Sequence, residues 1–170
     1  MPMPAITIRP YQTDDVACLV ALFRTSVRSI GRRDYTDSQV QAWAPDLIDH
    51  DAFARRCAAK STWIAECERR IAGFSDIEPD GHVDMLYVHP DFQRCGVARA
   101  LLTHIEQLAR TRGMVRLYTE ASITACPVFK AIGFRAIAPQ TAIVRGESMT
   151  NYRMEKRLFA SAETRYLGPT

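Results

Sequence analysis

The chain has 170 residues, of which 47% are hydrophobic and 24% are charged, and its formal net charge is +3. This size suits one domain with a substantial core, here expected over residues 1–170, and this composition excludes global disorder. The small positive excess is scattered along the chain, so neither a nucleic-acid partner nor a membrane surface is expected. No apolar run approaches the roughly 20 residues that a membrane-spanning helix needs.

Cysteine usage indicates the redox setting. The chain has five cysteines without C-x-x-C or zinc-ligand spacing: Cys18, Cys57, Cys67, Cys95 and Cys126. An odd number of unpatterned cysteines is typical of free thiols in a reducing compartment, so we expect a cytoplasmic protein. The sequence Met-Pro-Met-Pro-Ala at the start has neither a basic segment nor an apolar core, and no secretory signal is expected.

The N-terminal part predicts one short strand followed by three helices. Residues 6–8 alternate as in a strand, and Thr13 is a suitable cap for a helix whose first turn carries Asp14 and Asp15. The apolar positions of this helix recur at helical spacing: Val16, Leu19, Val20, Phe23, Val27 and Ile30. Two further helices are expected over 35–45 and 51–60.

From Ser61 onwards the pattern favours strands. Apolar stretches at 62–65 and 71–74 flank a charged turn, and a Pro-Asp-Gly sequence at 79–81 predicts another turn. The next strand is expected to run from His82 to Val88.

The rest of the chain alternates between helix and strand. A helix over 96–112, a strand over 115–119, a short helix over 125–132 and two strands over 135–144 and 149–156 are predicted. The pattern indicates an α/β fold: a mixed, mostly antiparallel sheet with helices on both faces and one central βαβ unit.

The turn inside that βαβ unit has the properties of a phosphate-binding site. Its sequence is Gln93, Arg94, Cys95, Gly96, Val97, Ala98 and Arg99. The first N–H groups of a helix have no acceptor within the helix and lie at the positive end of its dipole. Gly96 lets the backbone approach a ligand, and the two arginines add positive charge. The segment is neither a Walker loop nor a three-glycine dinucleotide fingerprint.

This segment resembles the Q/R-x-x-G-x-G/A signature of the GNAT superfamily of N-acetyltransferases, which bind acetyl-CoA. Its surroundings are similar too: Val88-His89-Pro90 before it, a Leu-Leu pair in the following helix and a Gly-Phe pair at 133–134. The resemblance extends over 6–156 and is loosest over 28–60, where such enzymes shape the acceptor pocket. It implies a GNAT-like acyl-CoA N-acyltransferase fold and transfer of an acetyl group from acetyl-CoA, a co-substrate, directly to an amine.

The resemblance also implies where acetyl-CoA would lie. The strand containing Leu86, Tyr87 and Val88 would separate from the strand over 115–119 and pair with the pantetheine arm. The Val88 N–H would face the thioester carbonyl, and the backbone over 94–99 would hold the pyrophosphate. Ser122 stands where many relatives have an asparagine near the pantetheine.

One departure concerns the proton for the departing thiolate. We also expect Phe129 to lie beside the cofactor. It stands where relatives often have the tyrosine that supplies this proton, and phenylalanine cannot donate one. Tyr152 is our first candidate for that role, ahead of Tyr118, which we expect to be a core residue.

The reaction also needs a base, because an alkylammonium group has a pKa of about 10.4 and is protonated at pH 7. His82 lies at the strand position where some relatives have a glutamate base, and Asp84 follows two residues later. Strand alternation would place both on the face of Leu86 and Val88. We favour His82, with Asp84 close behind. No third ligand accompanies them, so no metal is expected.

Two other hypotheses are compatible with the sequence. A catalytically weak acyl-CoA-binding or sensing module would bind acetyl-CoA without turnover. An enzyme that uses Cys95 as its nucleophile would form a covalent acetyl adduct, because a helix N-terminus lowers a thiol pKa. The aromatic residues Tyr35, Trp43 and Trp63 belong either to the core or to an acceptor pocket. The sequence does not identify the amine or the oligomeric state, and a homodimer is compatible with it.

Overall fold

The computed structural model describes residues 4–158, and the ends of the expected domain, 1–3 and 159–170, lie outside the described residues. The strands are β1 (Ile6–Pro10), β2 (Ser61–Cys67), β3 (Arg70–Ile77), β4 (Leu86–Val88), β5 (Arg116–Ser122), β6 (Arg135–Val144) and β7 (Glu147–Arg157). The helices are α1 (Val16–Ile30), α2 (Asp37–Trp43), α3 (His50–Ala58), α4 (Val97–Thr111) and α5 (Cys126–Ala131).

The strands form two antiparallel sheets, one in the order β1-β2-β3-β4 and the other in the order β5-β7-β6. Within residues 4–158, a single parallel bridge between His82 and Tyr118 connects the strand regions of β4 and β5. Beyond this bridge the two strands separate. The predicted mixed, mostly antiparallel α/β fold with a central βαβ unit is therefore confirmed.

Helices cover both faces of the first sheet. Phe74 of β3 packs in a core cluster with residues of α1 and α3, among them Phe23 and Phe53. Gly73, the preceding residue, faces α4: a Cβ atom there would lie 2.8 Å from Val97 Cγ1 and 2.9 Å from the Tyr87 carbonyl oxygen. The missing side chain at Gly73 therefore lets the first turn of α4 pack directly on β3, beside β4.

The start of α1 differs from the prediction. Thr13 does not cap the helix but opens a 3₁₀ turn, Thr13–Asp15, that precedes it. The Asp15 carboxylate accepts a hydrogen bond from the Gln12 N–H at 2.8 Å and is bound by two N–H groups of Arg9 at 2.8 and 2.9 Å. Arg9 also donates to Glu66 at 2.7 Å, so it ties β1 and β2 to the start of α1.

The strand predicted from His82 to Val88 is also shorter in the structure, because regular pairing with β3 covers only Leu86–Val88. The N–H groups of Asp84 and Met85 donate to the Asp76 carboxylate at 2.8 and 3.1 Å and not to the backbone of β3. The Asp76 side chain thus interrupts the backbone hydrogen bonds between β3 and β4.

Candidate active site

The separation of β4 from β5 creates a cavity of about 150 Å³ that opens towards α1, α2 and the first turn of α4. Seven of the predicted site residues line it: Asp84, Leu86, Tyr87, Val88, Ala98, Ser122 and Phe129. Residues from four helices and two strands, far apart in the sequence, therefore meet at one place.

The backbone of β4 directs polar groups into this cavity. The His89 N–H donates to the Ala72 carbonyl at 2.8 Å, and the register pairs Tyr87 with Phe74. Because hydrogen-bonded and non-hydrogen-bonded pairs alternate in an antiparallel ladder, the N–H and C=O groups of Leu86 and Val88 point away from β3. They face the gap towards β5.

The N-terminus of α4 has the geometry of an anion cradle. Gly96 is the N-cap residue with φ of 84°, a left-handed conformation that favours glycine, and Arg94 also has a positive φ of 61°. The first helical hydrogen bond runs from the Ala100 N–H to the Gly96 carbonyl at 2.9 Å. The N–H groups of Val97, Ala98 and Arg99 therefore have no acceptor within the helix.

Cations surround this cradle. Arg94 and Arg99 are exposed, and no ion pair within the described part of the chain involves either of them. Arg33, which precedes α2, donates to the Gln93 side-chain oxygen at 3.2 Å. Sequence analysis missed Arg33, because a loop cation 60 residues from Gln93 carries no local signal.

Cys95 does not line the cavity, and its thiol donates to the Gln93 carbonyl at 3.5 Å. It packs partly against the core cluster beneath α4. This geometry gives no support to a nucleophilic role for Cys95.

His82 lies between two carboxylates and does not line the cavity. Its Nδ1 atom is 2.7 Å from Glu78 Oε2, and its Nε2 atom is 2.5 Å from Glu120 Oε2. Burial disfavours the imidazolium ion, but hydrogen bonds to Glu120 and Glu78 outweigh this effect and raise the pKa of His82. Because both ring nitrogens are engaged, the ring cannot reach an amine directly.

Asp84 lines the cavity but is held by two cations. Lys60 and Arg56 both bind its Oδ2 atom, Arg56 at 2.6 Å. Burial would raise the pKa of Asp84, but these two partners outweigh it and hold the pKa below its ordinary value. An ion-paired carboxylate of low pKa is a poor proton acceptor.

Glu120 is the cavity-lining carboxylate that sequence analysis missed. It lies on β5, its side chain is 38% exposed, and one oxygen bonds to His82. The other oxygen, Oε1, has no hydrogen-bond or ion-pair partner among the described residues. The available signal was the alternation of side chains along β5, which places Glu120 on the same face as Ser122, near the end of the strand beside β4.

Ser122 and Phe129 contribute the α5 side of the cavity. The Ser122 hydroxyl accepts a hydrogen bond from the Ala125 N–H at 3.0 Å and so holds the turn into α5. Phe129 is 2% exposed, and its ring packs edge-on against Phe134 with centroids 5.0 Å apart.

Neither predicted tyrosine donor lines the cavity. Tyr152 pairs with Ala121 across β5 and β7 and packs against the core cluster that contains Phe129. Tyr118 is partly exposed, contrary to the expected core position, because its hydroxyl donates to Asp80 and its ring stacks on His82.

The wall of the cavity formed by α1 and α2 combines apolar and aromatic groups. Val27 and Ile30 of α1 and Trp43 of α2 line it, and the Trp43 ring lies 6.3 Å from the ring of Tyr87. Burial raises the pKa of Tyr87 to about 12, so its hydroxyl stays protonated. The other two aromatic candidates lie elsewhere, Tyr35 in the core and Trp63 against His104.

Over residues 4–158, no three His, Cys, Asp or Glu side chains gather in a way that could hold a metal ion. None of the helices described there is long and apolar enough to cross a membrane.

Comparisons with known proteins identify the family to which this fold belongs. The family model described as "Acetyltransferase (GNAT) domain" matches residues 32–156. A protein of Escherichia coli K12 named "Uncharacterized N-acetyltransferase YafP" is 35% identical over 153 residues, which are 89% of this chain and 96% of that protein.

Solved structures are similar over nearly the whole chain. A GCN5-related N-acetyltransferase from Rhodopseudomonas palustris, also described as a class-II aminotransferase, is 36% identical with a TM-score of 0.88, covering 93% of this chain and 99% of that one. The PaiA N-acetyltransferase of Thermoplasma acidophilum, solved with coenzyme A, has a TM-score of 0.74 at 16% identity and covers 91% of this chain and 99% of its own. At this low identity the second likeness shows the fold alone.

Proposed function

Because the chain belongs to the GNAT acetyltransferase family, we propose that acetyl-CoA and the amine acceptor meet in the cavity between β4 and β5. The protein is an enzyme that transfers the acetyl group of acetyl-CoA directly to an amine. One N-acetyltransferase domain over residues 1–170 would carry the reaction. The free state of all five cysteines supports a cytoplasmic setting.

One observation carries this assignment of the site. The anion cradle at the N-terminus of α4 and the outward-facing peptide groups of β4 open into the same cavity as Glu120. In this proposal the N–H groups over 97–99 bind the pyrophosphate, with positive charge from Arg94, Arg99 and Arg33. Acetyl-CoA supplies an activated acetyl thioester when it is bound.

The Val88 N–H would stabilise negative charge as it develops on the thioester oxygen. A fixed backbone donor is effective there because it needs no reorganisation during the reaction. The neighbouring Leu86 peptide faces the same gap, so the pantetheine arm can pair with β4 as an added strand.

The amine must lose a proton before it attacks. At pH 7, neutralising an alkylammonium of pKa about 10.4 costs roughly 4.6 kcal/mol. Glu120 is the cavity-lining carboxylate we assign to receive that proton, on its Oε1 atom, which has no partner among the described residues. His82, whose raised pKa favours the imidazolium ion, donates a hydrogen bond to Oε2 and orients the carboxylate, while Glu78 holds its other ring nitrogen. His82 thus acts through Glu120, and Asp84 is assigned no proton-transfer step.

The cavity also favours a class of acceptor. The carboxylate of Glu120 attracts an ammonium group, while Val27, Ile30 and Trp43 present an apolar and aromatic wall. We therefore propose a small primary amine with an apolar body as the acceptor.

Release of coenzyme A, separated from protein thiols by chromatography, tests the activity with a panel of primary amines. An enzyme releases coenzyme A in proportion to the amine consumed, whereas a binding or sensing module binds acetyl-CoA without turnover. Alkyl and arylalkyl amines should be better substrates than polyamines, amino sugars or peptides. A preference for one of the latter would contradict the proposed acceptor class.

Glu120→Gln and Asp84→Asn then separate the two cavity carboxylates. We expect Glu120→Gln to lower kcat/KM at pH 7 by about 100-fold, within the usual range for general-base catalysis, with acetyl-CoA affinity retained. A fluorinated acceptor of lower amine pKa should recover much of the loss, because a neutral amine needs no base. If Asp84→Asn shows this pattern and Glu120→Gln does not, Asp84 is the base.

A further inference from the structure

Asp76 is a buried carboxylate at the point where β3 and β4 stop pairing. Its side chain is 0% exposed, and its Oδ1 atom accepts both the Asp84 N–H and the Met85 N–H, at 2.8 and 3.1 Å. The last regular pair of the ladder is Ser75 with Leu86. A side chain of β3 therefore takes the place of its backbone for the next two residues of the opposite strand.

Neighbouring side chains hold the same segment. The Ser75 hydroxyl donates to the Met85 carbonyl at 2.6 Å, and the Thr119 hydroxyl donates to the Val83 carbonyl at 2.7 Å. Met85 and Val83 are both buried. Three side chains and one backbone hydrogen bond, from the Val83 N–H to the Tyr118 carbonyl at 2.8 Å, thus hold residues 83–85, which belong to none of the regular strands of the described residues.

The phase of β4 relative to β3 decides which peptide groups of β4 face the cavity. Successive residues of a strand alternate in direction, so a slip of one residue would turn the Val88 N–H from the cavity towards β3. The same segment directs the Asp84 side chain to Lys60 and Arg56.

The surroundings of Oδ2, the other carboxylate oxygen of Asp76, indicate that Asp76 acts mainly as a hydrogen-bond acceptor and that its negative charge matters less. Oδ2 has no hydrogen-bond partner among the described residues, and the nearest cation, Lys60 Nζ, lies 3.6 Å away. Burial raises the pKa of Asp76, which also favours a role as hydrogen-bond acceptor over a role as anion. An asparagine can accept the same two hydrogen bonds.

We propose that Asp76 is a positioning residue for acetyl transfer: it holds the amides of Asp84 and Met85, sets the phase of β4, and thereby aims the Val88 N–H into the cavity. This inference rests on the proposed role of Val88. Asp76 should affect turnover more than acetyl-CoA affinity, because the phosphates bind at α4, which packs on β3 through Gly73.

Three variants test this role: Asp76→Ala, Asp76→Asn and, as a control, Thr62→Ala, which removes the buried hydrogen bond from Thr62 to the Cys57 carbonyl. The readouts are kcat, acetyl-CoA affinity by calorimetry, and hydrogen exchange of the Asp84 and Met85 amides in the ligand-free protein. In Asp76→Ala we expect kcat to fall at least about 30-fold and exchange to accelerate at least about tenfold, with affinity within about threefold. Asp76→Asn should stay within about threefold of the wild type in all three readouts. Thr62→Ala should lower the stability of the fold and leave the three readouts unchanged.

Wild-type kcat in Asp76→Ala, or an equal loss in Asp76→Asn, would overturn the proposal. If Asp76→Ala does not fold, Asp76→Asn decides: protected amides with near-wild-type turnover support the role, and reduced turnover contradicts it. If the wild type releases no coenzyme A with any amine, the proposed function fails, whereas exchange at Asp84 and Met85 still tests what Asp76 holds.

Discussion

The Nε2 atom of His82 lies 2.5 Å from Oε2 of Glu120, across the only bridge that the described residues form between the regions of β4 and β5. This contact fixes one oxygen of the cavity-lining carboxylate against the imidazole behind it, so the position of Glu120 depends on His82. In the proposed mechanism this carboxylate receives the proton of the incoming ammonium ion.

The raised pKa of His82 predicts how stability depends on pH. A histidine whose pKa is higher in the folded state stabilises the fold fully below its unfolded pKa of about 6.5, and this contribution disappears as the pH rises through the folded pKa. We expect the difference in unfolding free energy between wild type and His82→Gln to be larger at pH 6 than at pH 9.

Urea denaturation at both pH values measures this difference. The groups that face His82 are Glu78, Asp80, Glu120 and Tyr118. The hydrogen bond from Tyr118 lowers the pKa of Asp80 and raises that of Tyr118 to about 12, so neither of these two groups changes charge between pH 6 and pH 9. A difference that grows towards pH 9 would contradict the raised pKa.

Gly96 should be critical for acetyl-CoA binding. Gly96→Val strains a backbone with φ of 84° and places a branched side chain at the cradle. We expect acetyl-CoA affinity, measured by calorimetry, to fall at least about tenfold, or 1.4 kcal/mol.

Gly146→Val is the matched control, since Gly146 has φ of 85° in the β6–β7 turn and does not line the cavity. It should lose similar stability with unchanged acetyl-CoA affinity. Equal affinity losses in the two variants would assign the effect to strain and not to the cradle.

Gly73→Ala should displace the first turn of α4. Its Cβ atom would lie 2.8 Å from Val97 Cγ1 and 2.9 Å from the Tyr87 carbonyl oxygen, so helix or strand must move. We expect a stability loss of about 1–3 kcal/mol, as for other overpacked cores, together with weaker acetyl-CoA binding.

Gly31→Ala is a suitable control, because a Cβ atom at Gly31 would lie 3.5 Å from its nearest neighbour, Trp43 Cζ3, which is an ordinary van der Waals contact. Unchanged acetyl-CoA affinity in a destabilised Gly73→Ala protein would show that the cradle does not depend on this contact.

Phe129→Tyr should be tolerated with little gain in turnover. A thiol has a pKa of about 8.5, so its thiolate needs only modest help to leave at neutral pH. Tyr152→Phe is the companion variant: we still expect it to cost more than Tyr118→Phe, whose hydroxyl is bound to Asp80. Steady-state kinetics of the three variants provide the test, and a many-fold gain for Phe129→Tyr would show that this position is suited to the proton donor.

The sequence by itself determined the fold class and predicted where the cofactor would bind. Helical and strand periodicity are local properties, and Gly96 with its flanking arginines lies within one short turn between β4 and α4. Such features are readable because the residues that produce them are neighbours in the chain.

The tertiary structure decided the electrostatic surroundings of the candidate base residues. His82 looked like a free base in the sequence, but Glu78 and Glu120 occupy both of its nitrogens, and Asp84 is bound by Arg56 and Lys60. Each of the contacts to Glu120, Arg56 and Lys60 joins residues 24 to 38 positions apart. Whether a carboxylate or an imidazole is available for proton transfer depends on the charges packed against it, and those are determined only when distant strands and helices come together.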